Sequence, residues 1–438
     1  MFYFKKILII LLIVFLFLPV LQMNFKFIKI PPLKGFFTPE TNIKFNEKTW
    51  FSEDFQRSYD KFFNSHLGLR NFFVRFNNQL RFSLFNKVNI KNVILGKEGY
   101  TLAEGYIKGT YIGSDFLGEK KIIDYLTQVK GFQNRLKKEH DIDLILLYAP
   151  SKEFIIPEFF PERYQNLKRS TTNIEFFSEK SKELKLNYID FNEFFRTLKD
   201  TSRLPTFYKQ GEHWTYATMC LSAKLLVKYI ENLRGIDMPD ITFNGFVKSD
   251  TTRYFDYDQG DAMNLLFKIP QGEVYYPEIL IDTVGKVKPR VLGIADCYYS
   301  QIYNTDIANN CFYKGGDIWF YYEQTEPKNG KIKKLVEVNK REELLKQDVI
   351  VILHTNHTLN QFGFGFFEDL EALLDPDKSD AIAKKDKLYE EEIKKIIVRI
   401  KNDKEWYSNV VKMAEGRNIS INYMLRKSAV FVIKRRNK

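Results

Sequence analysis

Cysteine is scarce in this chain: Cys220, Cys297 and Cys311 stand alone, with no CxxC pair. Zinc ribbons and disulfide frameworks need more thiols at closer spacing, so neither is indicated; at most one bridge can form and one thiol stays free. The five histidines lack the companion ligands at helical or hairpin spacing that a metal centre requires, so no metal and no cofactor is expected. A Gly-x-Ser-x-Gly elbow is missing, which argues against a lipase or peptidase. No internal repeat runs along the chain, and nothing in it calls for nucleic acid as a partner.

What is present is apolar and basic. With 44% hydrophobic and 16% aromatic residues, the 438-residue chain can bury enough surface to offset its conformational entropy, and it reads as folded. The net charge of +12 fits an anionic partner such as an acidic polysaccharide or lipid head groups, and equally a Lys- and Asn-rich composition with no partner implied. Lys5 and Lys6 precede an uninterrupted apolar run from Ile7 to Leu21 with no small-x-small cleavage site after it. We read residues 1–27 as an uncleaved signal anchor in the cytoplasmic membrane, single-pass, with the bulk of the chain extracytoplasmic. The prolines and glycine of Asn24–Glu40 predict an extended linker.

From Trp50 to Phe85 aromatic residues recur at helical spacing. Phe55, Tyr59, Phe62 and Phe63 make one stripe; Phe72, Phe73, Phe76, Leu80 and Leu84 make another. This predicts two amphipathic helices around SHLGLR with the stripes in a core and His66 structural. Beyond residue 118 strands alternate with helices: strands at Ile142–Tyr148, Asn187–Phe191, Arg290–Asp296, Asp317–Glu323 and Asp348–His354, helices at Thr172–Leu184, Trp214–Leu233 and Arg341–Lys346. Such alternation implies right-handed crossovers and a mostly parallel sheet flanked by helices, an α/β fold. Residues 235–288 break the rhythm and predict a β-rich insertion over the sheet edge or the site. The expected division is 1–27 anchor, 28–118 linker and aromatic helical module, 119–367 α/β domain, and 368–438 a charged helical segment ending in a strand-like SAVFVIK.

In parallel sheets ligands bind at the carboxyl ends of the strands. That filter selects Ser151 and Lys152 after the first strand, and Gly211, Glu212, His213 and Trp214 after the second. The third delivers Asp296, Cys297, Tyr298 and Tyr299, and the fifth His354, Asn356 and His357. A nucleophile, a histidine and several donors on one rim suit acyl transfer. Cys297 can equally be a small buried hydrophobe, and Tyr298 and Tyr299 can stack on sugar or merely pack.

The ordered blocks SHLGLR, GKEGYTL, APSKEFIIPE, GEHWTYAT and ADCYYS, spanning about Trp50 to Leu370, resemble the SGNH-hydrolase-like family of membrane-anchored polysaccharide O-acetyltransferases of the alginate type. The resemblance implies a flavodoxin-like core and a triad in which Asp-x-His-Trp supplies acid and base to a strand-end serine. It also implies acetyl transfer to an exported polysaccharide, with a membrane-bound acyltransferase as partner and source of acetyl. On this pattern His213 matches the base, Trp214 its neighbour, Cys297 the nucleophile, and Asp296 the residue before it. Two positions depart: a thiol stands for the hydroxyl, and Gly211 for the triad aspartate. A thiol is competent beside an imidazole; the missing acid is costlier, and Glu212 is the nearest substitute. Lys152, Ser151 and Asn356 are candidate oxyanion or sugar contacts, with Trp214, Tyr298 and Tyr299 as sugar contacts. The expected function is a polysaccharide O-acetyltransferase or deacetylase working through a Cys-His acyl-enzyme. The alternative, motivated by Gly211, is an inactive relative that binds glycan or the membrane acyltransferase.

Overall fold

The computed structural model describes residues 2–34, 45–417 and 421–436; residues 35–40 of the expected linker lie outside them. Contacts divide the chain into two compact units. One comprises residues 1–91, 259–269 and 393–438, the other residues 92–258 and 270–392.

The second unit holds the sheet. A small hairpin, β1 (Val93–Leu95) and β2 (Thr101–Ala103), precedes the strands β3 (Asp143–Ala149) and β4 (Tyr188–Asp190). An antiparallel pair follows, β5 (Asp240–Ser249) and β6 (Val274–Asp282), then β7 (Val291–Ala295), β8 (Asp317–Phe320), β9 (Gln324–Thr325) and β10 (Val349–Thr355). The six-stranded sheet has the order β4-β3-β10-β7-β8-β9, parallel except for the edge strand β9. Strands β3, β7 and β10 are buried at every position, which is why their sequences read as continuous apolar runs: helices cover both faces. Helix Glu119–His140 packs Ile122, Leu126, Val129 and Leu136 inward, and helix Tyr216–Arg234 does so with Ala223, Leu226 and Ile230. At Gly293 a Cβ would stand 2.0 Å from the Tyr299 ring, so glycine is required in the middle of β7.

The α/β class read from the sequence is the fold observed, and the insertion forms the β5–β6 ribbon. Two strand expectations fail. The fourth strand ends at Phe320, short of Glu323, because Tyr321 and Tyr322 turn the chain with φ of +50° and +57°. SAVFVIK lies in helix Ile421–Arg436; Met424, Leu425, Ala429 and Ile433 are buried while Phe431 is exposed, a helical period that local apolar alternation concealed.

In the first unit, helix Phe2–Phe25 is, among the described residues, the one helix long and apolar enough to cross a membrane. A Cβ on Gly68 would stand 2.3 Å from the carbonyl oxygen of Pro19, so the glycine of SHLGLR lets this turn approach that helix. The two amphipathic helices are Asp54–His66 and Arg70–Phe85. Their stripes are not core: Tyr59, Phe72, Phe73, Phe76, Leu80 and Leu84 all remain exposed, since no described element covers that face.

Candidate active site

The loop carrying His213 is fixed before its chemistry begins. Phe207 and Trp214 pair across it as an isolated bridge, and Thr215 caps the following helix by accepting from the Thr218 N–H. Lys152, fully buried, donates from Nζ to the carbonyl oxygens of Lys209 and Gly211 at 2.9 and 2.8 Å. The Tyr298 hydroxyl donates to the Glu212 carbonyl at 3.1 Å. These contacts aim the imidazole at the end of β7, where Cys297 starts the helix Cys297–Tyr303.

His213 Nε2 lies 3.3 Å from Cys297 Sγ. On the other side of the ring Nδ1 lies 2.6 Å from Asp258 Oδ2. The other oxygen of Asp258 accepts the Glu212 backbone N–H at 2.7 Å. Because a carboxylate only accepts, Nδ1 carries the proton and Nε2 is left to face sulfur. Burial pulls the His213 pKa down, but negative charge at Cys297 and the hydrogen bond donated to Asp258 outweigh it and hold the pKa well above the ordinary imidazole value.

The carboxylate at Nδ1 is therefore Asp258, not Glu212. Burial, then the charge of Glu153, pushes the Glu212 carboxyl well above the usual carboxylate range, against the pull of Lys152. Asp258 opens the short helix Asp258–Ala262 in the segment between β5 and β6. It stands 45 residues from His213, beyond the reach of any local pattern. The only local signal was carboxylates at 256 and 258 inside the insertion.

Several other expected contacts are committed elsewhere. Asp296 is fully buried and accepts from Tyr298 N, Thr355 N, Thr355 Oγ1 and Thr358 Oγ1, tying β7 to the end of β10. Asn356 forms a reciprocal amide pair with Asn192. Ser151 is buried and donates to Thr110. Burial lowers the Lys152 ammonium to about 8, and its two carbonyl acceptors keep it inside the loop. Trp214, Tyr298 and Tyr299 are buried packing, with the Trp214 indole donating to Gln301; none presents a face to sugar. His354 is stacked beside Phe362 and Phe364, accepts the Gly363 N–H at Nε2, and burial lowers its pKa to about 3.

The surroundings of the thiol are aromatic in a way the sequence did not mark. The Tyr321 pKa is raised by burial and then by charge at Cys297. Tyr106 is raised by burial and then by Glu212, and its ring stacks on His357 at 4.0 Å. Burial, then the charge of His213, lowers His357 to about 3. Cys220 and Cys311 are buried, each pushed up to about 12 by burial, and take no part. Among the described residues no three His, Cys, Asp or Glu side chains are grouped as metal ligands.

Residues 112–289 match the family model for the SGNH hydrolase-like domain of acetyltransferase AlgX, a span that includes His213 and Asp258 and ends before Cys297. No curated protein matches the chain. Among solved structures, Pseudomonas aeruginosa AlgX is 14% identical with a TM-score of 0.42, the match covering 66% of this chain and 67% of that one. The O-acetyltransferase domain of Pseudomonas putida AlgJ is 13% identical with a TM-score of 0.39, covering 64% and 98%. Bacillus cereus PatB1 is 10% identical with a TM-score of 0.34, covering 55% and 91%. The α/β fold of this chain is thus of the kind described by that model, and residues 112–289 are similar to an SGNH hydrolase-like domain.

Proposed function

We propose that the protein is a membrane-anchored extracytoplasmic O-acetyltransferase acting on a polysaccharide through a Cys297 acyl-enzyme. The observation that carries this reading is the chain Cys297 Sγ, His213, Asp258 at 3.3 and 2.6 Å, set where β7 ends. His213 takes the thiol proton at Nε2, and sulfur attacks the carbonyl of an acetyl ester or thioester. The leaving group departs with that proton, giving a thioacetyl enzyme. A sugar hydroxyl then surrenders its proton to Nε2 and attacks the thioester, releasing the acetylated sugar and the thiol. Asp258 keeps Nδ1–H oriented and stabilises the imidazolium formed in each half-reaction. If water takes the place of the sugar the same residues hydrolyse the ester, so exclusion of water decides between transfer and hydrolysis. The helix Phe2–Phe25 suits the anchor, and a membrane-bound acyltransferase is the proposed source of acetyl. The match to an acetyltransferase domain supports the reaction class. The alternative of an inactive glycan-binding relative was motivated by Gly211; a carboxylate of Asp258 at Nδ1 of His213 supports the active reading over it.

Intact mass spectrometry after exposure to p-nitrophenyl acetate tests the acyl-enzyme. A single acetyl adduct mapping to Cys297, absent from Cys297→Ala and slowed at least about 100-fold in His213→Ala, is the expected result. Labelling indifferent to His213 would sink the reading.

A further inference from the structure

A cavity of about 40 Å³ lies along the helix that begins at Cys297, lined by Trp214, Tyr216, Tyr254, Phe255, Asp256 and Gln301 among others. Gln301 stands one helical turn beyond the thiol, and the Phe255 ring links cavity and catalytic pair, its centroid 5.6 Å from that of His213.

The floor of the cavity is polar and incompletely satisfied. Gln301 is 6% exposed, and its Oε1 accepts the Trp214 indole N–H at 2.8 Å. An indole nitrogen can only donate, so the amide orientation is fixed and Nε2 becomes the group left over. That buried Nε2 has no hydrogen-bond partner, an unfavourable state that an incoming acceptor would relieve. Across the same cavity Asp256, 2% exposed, accepts the Tyr216 N–H at Oδ1 and brings a carboxylate to the lining.

The mouth is aromatic and open. Tyr254 and Phe255 keep 66% and 47% of their surfaces exposed. Tyr254 sits at φ +54°, a costly conformation for a bulky residue. Its ring lies flat against Tyr216 with centroids 4.1 Å apart, which leaves its other face to solvent. A volume of 40 Å³ admits a hydroxyl-bearing substituent or a few waters but not a sugar ring.

Building on the acyl-transfer reading above, we infer that this is a sugar subsite for the acceptor chain. A pyranose lies on the open faces of Tyr254 and Phe255, and its hydroxymethyl or ring hydroxyl enters the cavity, accepts from Gln301 Nε2 and donates to Asp256. The neighbouring sugar of the same chain then reaches the thiol. An aromatic platform with a few convergent polar atoms suits one such ring, and it fixes the register of the acceptor without touching the reacting atoms.

The test is binding, read without any acyl chemistry. Full-length protein in detergent is titrated, by calorimetry and intrinsic tryptophan fluorescence, with β-linked hexasaccharides of glucose, N-acetylglucosamine and a uronic acid. Native protein should bind at least one of them, with affinity lowered at least about tenfold in Tyr254→Ala and in Gln301→Leu and kept in the surface control Tyr313→Ala. Absence of binding to all three sugars, or equal affinity in native and both cavity variants, overturns the subsite. Circular dichroism of each variant separates loss of binding from loss of fold. Tyr254-dependent binding by a protein that never acetylates Cys297 keeps the subsite and removes the acyltransferase reading. Acetylation of Cys297 without such binding does the reverse.

Discussion

At Nδ1 of His213 one carboxylate sets the state of the ring. With Asp258 accepting at 2.6 Å, the imidazole is fixed in the tautomer that faces sulfur, and its protonated form is favoured. The raised pKa means that the native state gains stability from protonated His213. That gain is complete below the ordinary value of about 6.5 and is lost as pH climbs through the raised value. Asp258→Asn removes one of the causes that raise it. Nε2 takes the thiol proton only when it is unprotonated, so the acid limb of the rate of Cys297 acetylation should move to lower pH, with a maximal rate about 10- to 100-fold below native, as measured by burst kinetics with p-nitrophenyl acetate. An unshifted limb at native rate would mean that Asp258 does not govern the histidine.

Elements are joined at this end of the sheet by buried polar groups. Asp296 gathers four donors from the turn after β7 and from the end of β10, and His354 bonds Thr358 and the Gly363 N–H. Asp296→Ala strands several of those donors, so it should cost about 3 kcal/mol in urea unfolding at neutral pH, a structural loss rather than a catalytic one. His354 makes a separate, pH-linked prediction. Its native pKa near 3 lies below the unfolded value of about 6.5, so acid protonates the unfolded chain first and stability falls as pH drops between those values. From pH 7 to pH 5 that one histidine accounts for about 2 kcal/mol. His354→Phe should be less stable at pH 7 yet lose that much less on acidification. An unchanged pH difference would show that His354 is not buried neutral.

For the whole molecule, the proposed anchor makes a prediction about length and extraction. The 24 residues of helix Phe2–Phe25 span about 36 Å at 1.5 Å each, enough for a bilayer core of about 30 Å. The expressed chain should sediment with membranes and resist carbonate extraction. A variant lacking residues 1–27 should stay in the supernatant with its α/β circular dichroism. A full-length protein released by carbonate would count against the anchor, and a truncated one without secondary structure would count against independent folding.

The sequence by itself determined the sheet and two members of the site. Buried parallel strands must be continuous apolar runs because both faces are covered, and a strand that stops at a polar cluster announces the rim, which marks Cys297; His213 lies beyond the helix Phe191–Thr201 that follows β4 and was marked by its His-Trp pair. Only the tertiary structure decided the third member. Asp258 comes to His213 from the segment between β5 and β6, a pairing across 45 residues that no local pattern encodes. Burial was likewise decided there: Lys152, Asn356, Tyr298 and Tyr299 sit at the right places along the chain, but which way a rim side chain turns depends on the partners that packing brings to it. For these four, the partners are carbonyls, another amide and neighbouring rings, so they are held within the packing around the Cys297–His213–Asp258 chain.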